Sequence, residues 1–377
     1  MSALFQPNPV PEPIIAADMP ARQQLQTIQA VRGVAALTVV AFHLTQFVDG
    51  KYGEALWFGL FERGFAGVDL FFVISGFVIV YTSQAYIGRP DTLRTYLTKR
   101  AIRVYPIYWL TIALMTLLMA ISLWLRPDGV GKVIADRWPG LDTILLTPHH
   151  HALNIVSWSL SHELFFYLLF ACLIVSRKLW VIPAFFLVGT LYMALTKQEY
   201  IDGQSTVWAY FWFNPLNAEF ALGALIGYGF IHHKASKWEG ISAALLGLVW
   251  LYSFGDTPNE FFGERLLHYG VASLLLLIAV LTYEYIRHPK LPQWIISTGD
   301  ASYLIYLIHT PFLLPFTRLL TRAFPTYSAI GVPLACFALV IVVTYLSILT
   351  HRLVEKPLMR YLSARLLPKR KAGPTVA

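Results

Sequence analysis

The chain has 377 residues, 56% of them hydrophobic and only 13% charged, with a net charge of +8. Soluble domains carry roughly 25% charged residues, so the composition excludes an ordinary soluble protein and predicts an all-α, polytopic membrane helix bundle. The positive balance follows from the excess of Lys and Arg on the cytosolic loops of membrane proteins and implies no nucleic-acid partner.

Residues 1–24 include Pro9, Pro11, Pro13 and Pro20 and lack a basic stretch ahead of an apolar run. They predict a disordered cytosolic tail without a cleavable signal. A membrane domain is expected over residues 25–360, followed by a basic cytosolic tail over 361–377. Apolar runs place about ten transmembrane helices near 30–48, 65–86, 101–125, 157–176, 179–195, 209–231, 240–254, 265–286, 302–320 and 329–351. The fifth and seventh are short. With ten spans, 20 of the 29 lysines and arginines fall on the side holding the termini, which predicts that both termini are cytosolic. Cys172 and Cys336 lie inside apolar runs and read as small packing residues.

The first span contains "RGVAALTVVAFH". Arg32 and His43 are eleven residues apart, three helical turns plus roughly 20°, so they share a face about 16 Å apart along the axis. Arg32 sits at the inner boundary and reads either as a snorkelling anchor or as an anion contact. His43 lies toward the outer end and is either a bonded core ring or a proton acceptor. In the second span, "GFAGVDLFFVISGFV", Asp69 is close in depth to His43. It either orients that ring or favours the helix start through the dipole. Gly64, Gly67 and Gly76 predict close helix approach.

Arg94, Lys99, Arg100 and Arg103 cluster where the third span enters from the cytosol. They reflect topology or an anionic partner at the inner face, either lipid headgroups or a phosphate-bearing cofactor. In the outer loop, "TPHHHALN" suggests a metal at first sight, but adjacent side chains of an extended loop point apart and no Cys or acid stands at ligand spacing, so no metal is expected. The fourth span opens with "SWSLSHELFFY". Trp158 suits an interfacial belt, and Ser159, His162 and Glu163 share one face, where Glu163 needs a partner such as His162 or His43. Farther on, Glu219, Gly223 and Gly227 share a face that predicts tight packing. Ser302, Tyr306 and His309 form another polar stripe, and Pro311 predicts a kink lining a cavity. His351, Arg352, Glu355 and Lys356 close the last span.

Taken together, these residues resemble the acyltransferase-3 family of integral membrane acyltransferases. The carrying stretches are "RGVAALTVVAFH" (Arg32, His43), "GVDLFFVISGFV" (Asp69, Ser75, Gly76), "RAIRVYPIYWL" (Arg100, Arg103, Pro106), "WSLSHELFFY" (Trp158, Ser159, Glu163), "TGDASYLIYLIHTPF" and "VEKP", spread over residues 25–360. The resemblance implies transfer of an acyl group, commonly acetyl, from acyl-CoA to a hydroxyl of a glycan or another acceptor, in the bacterial inner membrane. It implies CoA phosphates on Arg32 and Arg100/Arg103, and proton abstraction by His43 with Asp69 or Glu163. Ser75 and Ser159 are candidate covalent way-stations, and Trp158, His162, Glu219, Tyr306 and His309 candidate supporting residues. Larger members add a soluble extracytoplasmic domain; this chain is expected to complete its reaction in the membrane domain or pass its product to a separate protein. The alternative is a multispan transporter or flippase, which also places charges inside a bundle; no repeat symmetry between halves supports it.

Overall fold

The computed structural model describes residues 25–125, 139–148, 153–196, 207–232, 236–253 and 262–368; His149, His150 and His151 lie outside them. All regular structure among the described residues is helical. The main helices are α1 (Gln26–Tyr52), α2 (Gly67–Ser83), α3 (Leu93–Leu125), α4 (Trp158–Val175), α5 (Val181–Leu195), α6 (Pro215–His232) and α7 (Lys237–Ser253). They continue with α8 (Val271–Arg287), α9 (Gln293–Asp300), α10 (Ser302–Ala323), α11 (Gly331–Thr350) and α12 (Lys356–Leu366).

Every expected span holds a helix, and the chain is a multi-pass membrane protein, but ten crossings are more than length and apolarity support. Among the described residues seven helices are long and apolar enough to cross a membrane, or eight if the bent α10 counts as one span. The two that fall short are α6 and α7. α6 carries buried Asn217 and Glu219, and the described part of α7 has 17 residues, about 26 Å against a hydrocarbon core of about 30 Å, whereas adjoining helical turns bring α2, α5 and α8 to stretches of 23, 19 and 22 residues. The expected 209–231 span is also two helices, Val207–Trp212 and α6. Pro215 opens the second, and the residue before a proline disfavours helical backbone.

The expected glycine contacts are present. A Cβ on Gly76 would lie 2.0 Å from the Phe220 carbonyl oxygen, and one on Gly223 would lie 2.1 Å from that of Val73. The α2 and α6 backbones therefore touch at a spacing that only glycine allows.

α10 bends by 51° between Ser302–Leu313 and Pro315–Ala323. Pro311 has no N–H to donate to the Leu307 carbonyl one turn earlier. Asn154 fills that place: its Nδ2 donates to Leu307 O at 3.0 Å, while its Oδ1 accepts from Thr310 Oγ1 at 2.9 Å. The loop before α4 is thus fastened to α10 where a membrane helix would otherwise leave a carbonyl unsatisfied. A π-helical turn, His351–Glu355, joins α11 to α12 and turns Glu355 inward.

Candidate active site

A cavity of about 80 Å³ lies between α1, α2, α3, α4, α6 and α10. It brings together six of the expected residues: Arg32, Ser75, Arg103, Ser159, Glu163 and Tyr306. Arg32 and Arg103 are also walls of a second, open cleft with Gln29, Asp300, His351, Lys356 and Arg360. The two spaces therefore meet at a pair of guanidinium groups. Four cations face the cleft (Arg32, Arg103, Lys356 and Arg360), and the only carboxylate among its lining residues is Asp300. Arg103 is held by buried Glu355 at 3.4 Å, and Glu355 accepts from His351 Nδ1 at 2.8 Å on its other oxygen. Arg103 also packs its guanidinium over the Tyr303 ring, whose hydroxyl donates to Val104 O at 2.8 Å.

At the opposite end Tyr306 packs edge-on against Phe71 and lies 6.2 Å, ring to ring, from His309. His309 is buried and touches His43. His43 Nδ1 lies 2.9 Å from Val39 O, and His309 Nδ1 lies 3.2 Å from Ile305 O. A carbonyl oxygen only accepts, so in both neutral rings Nδ1 carries the proton. His309 Nε2 then accepts from His43 Nδ1 at 3.3 Å. This leaves the lone pair of His43 on Nε2, the atom suited to receive a proton. His43 itself is half-buried.

The carboxylates do not take the places expected of them. Asp69 makes no contact with His43. It is fully buried and forms a bidentate pair with Arg265, both bonds at 2.9 Å. Glu163 lines the cavity, but its carboxylate accepts from the Tyr167 hydroxyl one turn along α4. Glu219 is fully buried, and neither of its oxygens finds a hydrogen-bond partner among the described residues; Asp69 and Arg265 are its electrostatic neighbours. Arg100 is turned away from the cavity. It donates to Ser83 Oγ at 2.8 Å and Thr82 Oγ1 at 3.1 Å, and lies over the Tyr96 and Tyr167 rings. His162 is packed 4.4 Å from the Phe211 ring with Trp158 edge-on to it.

The sequence profile of the acyltransferase-3 family, described as an acyltransferase domain, matches residues 25–352. The chain belongs to this family. It is similar to the exopolysaccharide production protein ExoZ of Rhizobium meliloti (strain 1021), 28% identical over 337 residues that cover 83% of this chain and 95% of that protein. It is also similar to the acyltransferase MdmB of Streptomyces mycarofaciens, 26% identical over 380 residues, 91% of this chain and 93% of that protein. No solved structure matches.

For a membrane acyltransferase the arrangement separates two tasks along one channel: cations at an open cleft and an imidazole pair beyond the far wall of the cavity. Sequence reasoning missed Arg265, Asn154, Tyr303, and Lys356 and Arg360 as cleft cations. Arg265 stands at the first position of the expected 265–286 span, where no role was read for it. Asn154 sat in view beside the histidines, and the missing amide of Pro311 was the signal that a partner for Leu307 O was needed.

Proposed function

We propose that the protein is an O-acyltransferase of the bacterial inner membrane that takes an acyl group, commonly acetyl, from acyl-CoA on the cytosolic side. It delivers that group to a hydroxyl of a glycan or a comparable acceptor. The observation that carries this reading is the position of Arg32 and Arg103, which line both the open cleft and the buried cavity. A phosphate-bearing donor fits such a junction, because charge-assisted contacts to guanidinium groups are the strong ones for phosphate. CoA phosphates lie against Arg32, Arg103, Lys356 and Arg360, and the pantetheine arm extends into the cavity with the thioester toward Tyr306. Arg100, engaged with Ser83 and Thr82, supports the inner end of α2 rather than the donor.

His43 Nε2 is the general base. It removes the proton from the acceptor hydroxyl as the oxygen attacks the thioester carbonyl. The carbon–sulfur bond then breaks, and the CoA thiolate leaves and is protonated. The imidazolium formed on His43 keeps its Nδ1–H directed at Val39 O and His309 Nε2. Asp69 and Arg265 hold α2 against the short helix Phe262–Arg265 that precedes α8 and do no proton transfer.

The test is acetyl transfer in membrane vesicles. Inside-out vesicles containing the protein should move label from acetyl-CoA to a glycan fraction, and sealed right-side-out vesicles should not. Transfer in neither preparation, or from the right-side-out side alone, would overturn the donor assignment. Labelling of Thr92→Cys from outside intact cells, with Thr147→Cys silent, would reverse the sidedness.

A further inference from the structure

A second, half-open apolar space of about 250 Å³ lies against the reaction cavity between α4, α5 and α6. Leu169 and Leu173 of α4, Ala184 and Leu187 of α5, and Ala221 and Leu225 of α6 line it. Its single polar lining residue is Asn217, whose amide donates to the Phe211 and Trp212 carbonyls. Phe166 and Phe220 belong to both linings. Their rings are stacked with centroids 4.0 Å apart and planes 13° apart, and Phe72 packs edge-on against Phe166 at 5.7 Å. Phe166 and Phe220 are both buried. The cavity is therefore closed on this side by two rings only, with apolar space directly behind them.

We propose that the Phe166–Phe220 stack is the stop that limits the donor to short acyl groups, and that the apolar chamber behind it is a latent acyl-chain site. This inference rests on the acyl-CoA reading above. An acetyl group has no carbon to place beyond the stack. A longer chain, entering with its thioester toward Tyr306, meets the ring faces where Phe166 and Phe220 line the cavity. The Phe166 ring is held between Phe220 of α6 and Phe72 of α2, and close-packed interiors do not shift freely to admit added volume. With one ring removed, a chain passes into a space lined by aliphatic side chains, where each buried methylene is worth about a fourfold gain in affinity.

The experiment is calorimetric binding of acetyl-CoA and hexanoyl-CoA to the purified full chain in detergent, which needs no acceptor. The wild type should prefer acetyl-CoA. Phe220→Ala should shift the hexanoyl-to-acetyl affinity ratio toward hexanoyl by at least tenfold, and Phe166→Leu, a milder truncation of the same stack, should shift it in the same direction by less. Adding Ala184→Phe to Phe220→Ala refills the chamber from α5 and should return the ratio to within about threefold of wild type. Ala184→Phe alone should leave acetyl-CoA binding unchanged. An unchanged ratio in both truncations, or a wild type that already binds hexanoyl-CoA as well as acetyl-CoA, would overturn the stop. Binding of neither thioester by the folded wild type would overturn the donor reading itself, and the inference with it.

Discussion

At the end of the cavity proposed to face the cytosol, the inner end, four cations from α1, α3 and α12 converge on an open cleft. At the outer end two imidazoles from α1 and α10 meet, each with Nδ1 fixed on a carbonyl of its own helix. The first arrangement is long side chains around open space, and it tolerates an anion whose position varies by an ångström. The second holds a ring in one tautomer and one orientation, as proton transfer demands of its acceptor, since small misplacements of a reacting group are costly. One helix, α1, supplies a member to each end: Arg32 and His43, three turns apart. On the donor reading proposed above, their spacing is the length over which the donor reaches from its charged head to its reacting carbon.

The largest expected effect breaks this comparison at the outer end. General-base catalysis typically contributes about 10²–10⁴ in rate. His43→Gln keeps a hydrogen-bonding side chain but cannot accept the proton, so turnover should fall at least 100-fold with insertion and acyl-CoA binding intact. Steady-state acyl transfer by the purified variant checks this. Retention of a third or more of wild-type turnover would make His43 a packing ring, and the two ends of the cavity would no longer differ in kind.

Next is the buried pair that supports the site from outside it. Asp69→Ala leaves the half-buried Arg265 without its bidentate partner, and removing one member of a buried pair costs up to about 3–5 kcal/mol. Thermal unfolding in detergent should show this as a clear drop in midpoint. The double replacement Asp69→Leu/Arg265→Met should recover most of the loss. If Asp69→Ala instead left stability intact and abolished turnover, Asp69 would belong to the proton-handling end after all.

How far the sequence anticipated these two ends follows from what each one depends on. The Arg32–His43 register was legible because helical periodicity alone fixes which side chains share a face, and both residues are where that geometry puts them. The glycines of α2 and α6 were legible for the same reason: a helix contact needs small residues at a fixed repeat. Long-range pairing was not legible. Asp69 had His43, on the adjacent span, as a plausible partner, but Arg265 lies 196 positions away and enters from the short helix that precedes α8. Glu163 was expected to meet a histidine; the nearer Tyr167 hydroxyl, on the same face of α4, takes it. Arg100 and Arg103 were grouped by proximity in sequence, yet three residues on a helix are about 60° from alignment. That offset sends Arg103 into the cavity and Arg100 to the Ser83 and Thr82 hydroxyls of α2. The ten-span count rests on apolar averages, and at α6 that average conceals buried Asn217 and Glu219.

A smaller effect sharpens the inner end. Lys356 and Arg360 line the open cleft, and solvent-facing ion contacts are weak, worth about 0.2–1 kcal/mol each. Lys356→Ala and Arg360→Ala should each raise the KM for acetyl-CoA up to about fivefold, the double variant more, with kcat and the acceptor KM little changed. Raising ionic strength should weaken wild-type donor binding in the same sense and affect the double variant less, since exposed charges separated by more than about 10 Å are screened at 0.1 M salt. A double variant with wild-type donor KM and the full salt response would remove the cleft from the donor path.

The smallest effect is expected at Ser159, midway between the two ends, and it decides whether the acyl group crosses the cavity on its carrier or on the protein. A serine that forms an acyl intermediate needs a base within hydrogen-bond reach of its hydroxyl. Ser159 Oγ lies 3.0 Å from Val156 O, to which it donates, and 2.9 Å from the Tyr306 hydroxyl. Tyr306 is itself 3.1 Å from the same carbonyl. Neither neighbour is a base at neutral pH, and the histidine pair lies beyond Tyr306. This triangle ties the first turn of α4 to α10; it does not activate a nucleophile. A typical buried hydrogen bond is worth about 0.5–1.5 kcal/mol, so Ser159→Ala should reduce stability modestly and turnover only a few-fold. Brief exposure of wild-type protein to labelled acetyl-CoA without acceptor should leave no label on the denatured chain. Loss of turnover in Ser159→Ala comparable to that in His43→Gln, together with a hydroxylamine-labile acetyl group on the wild-type protein, would place a covalent relay between the two ends.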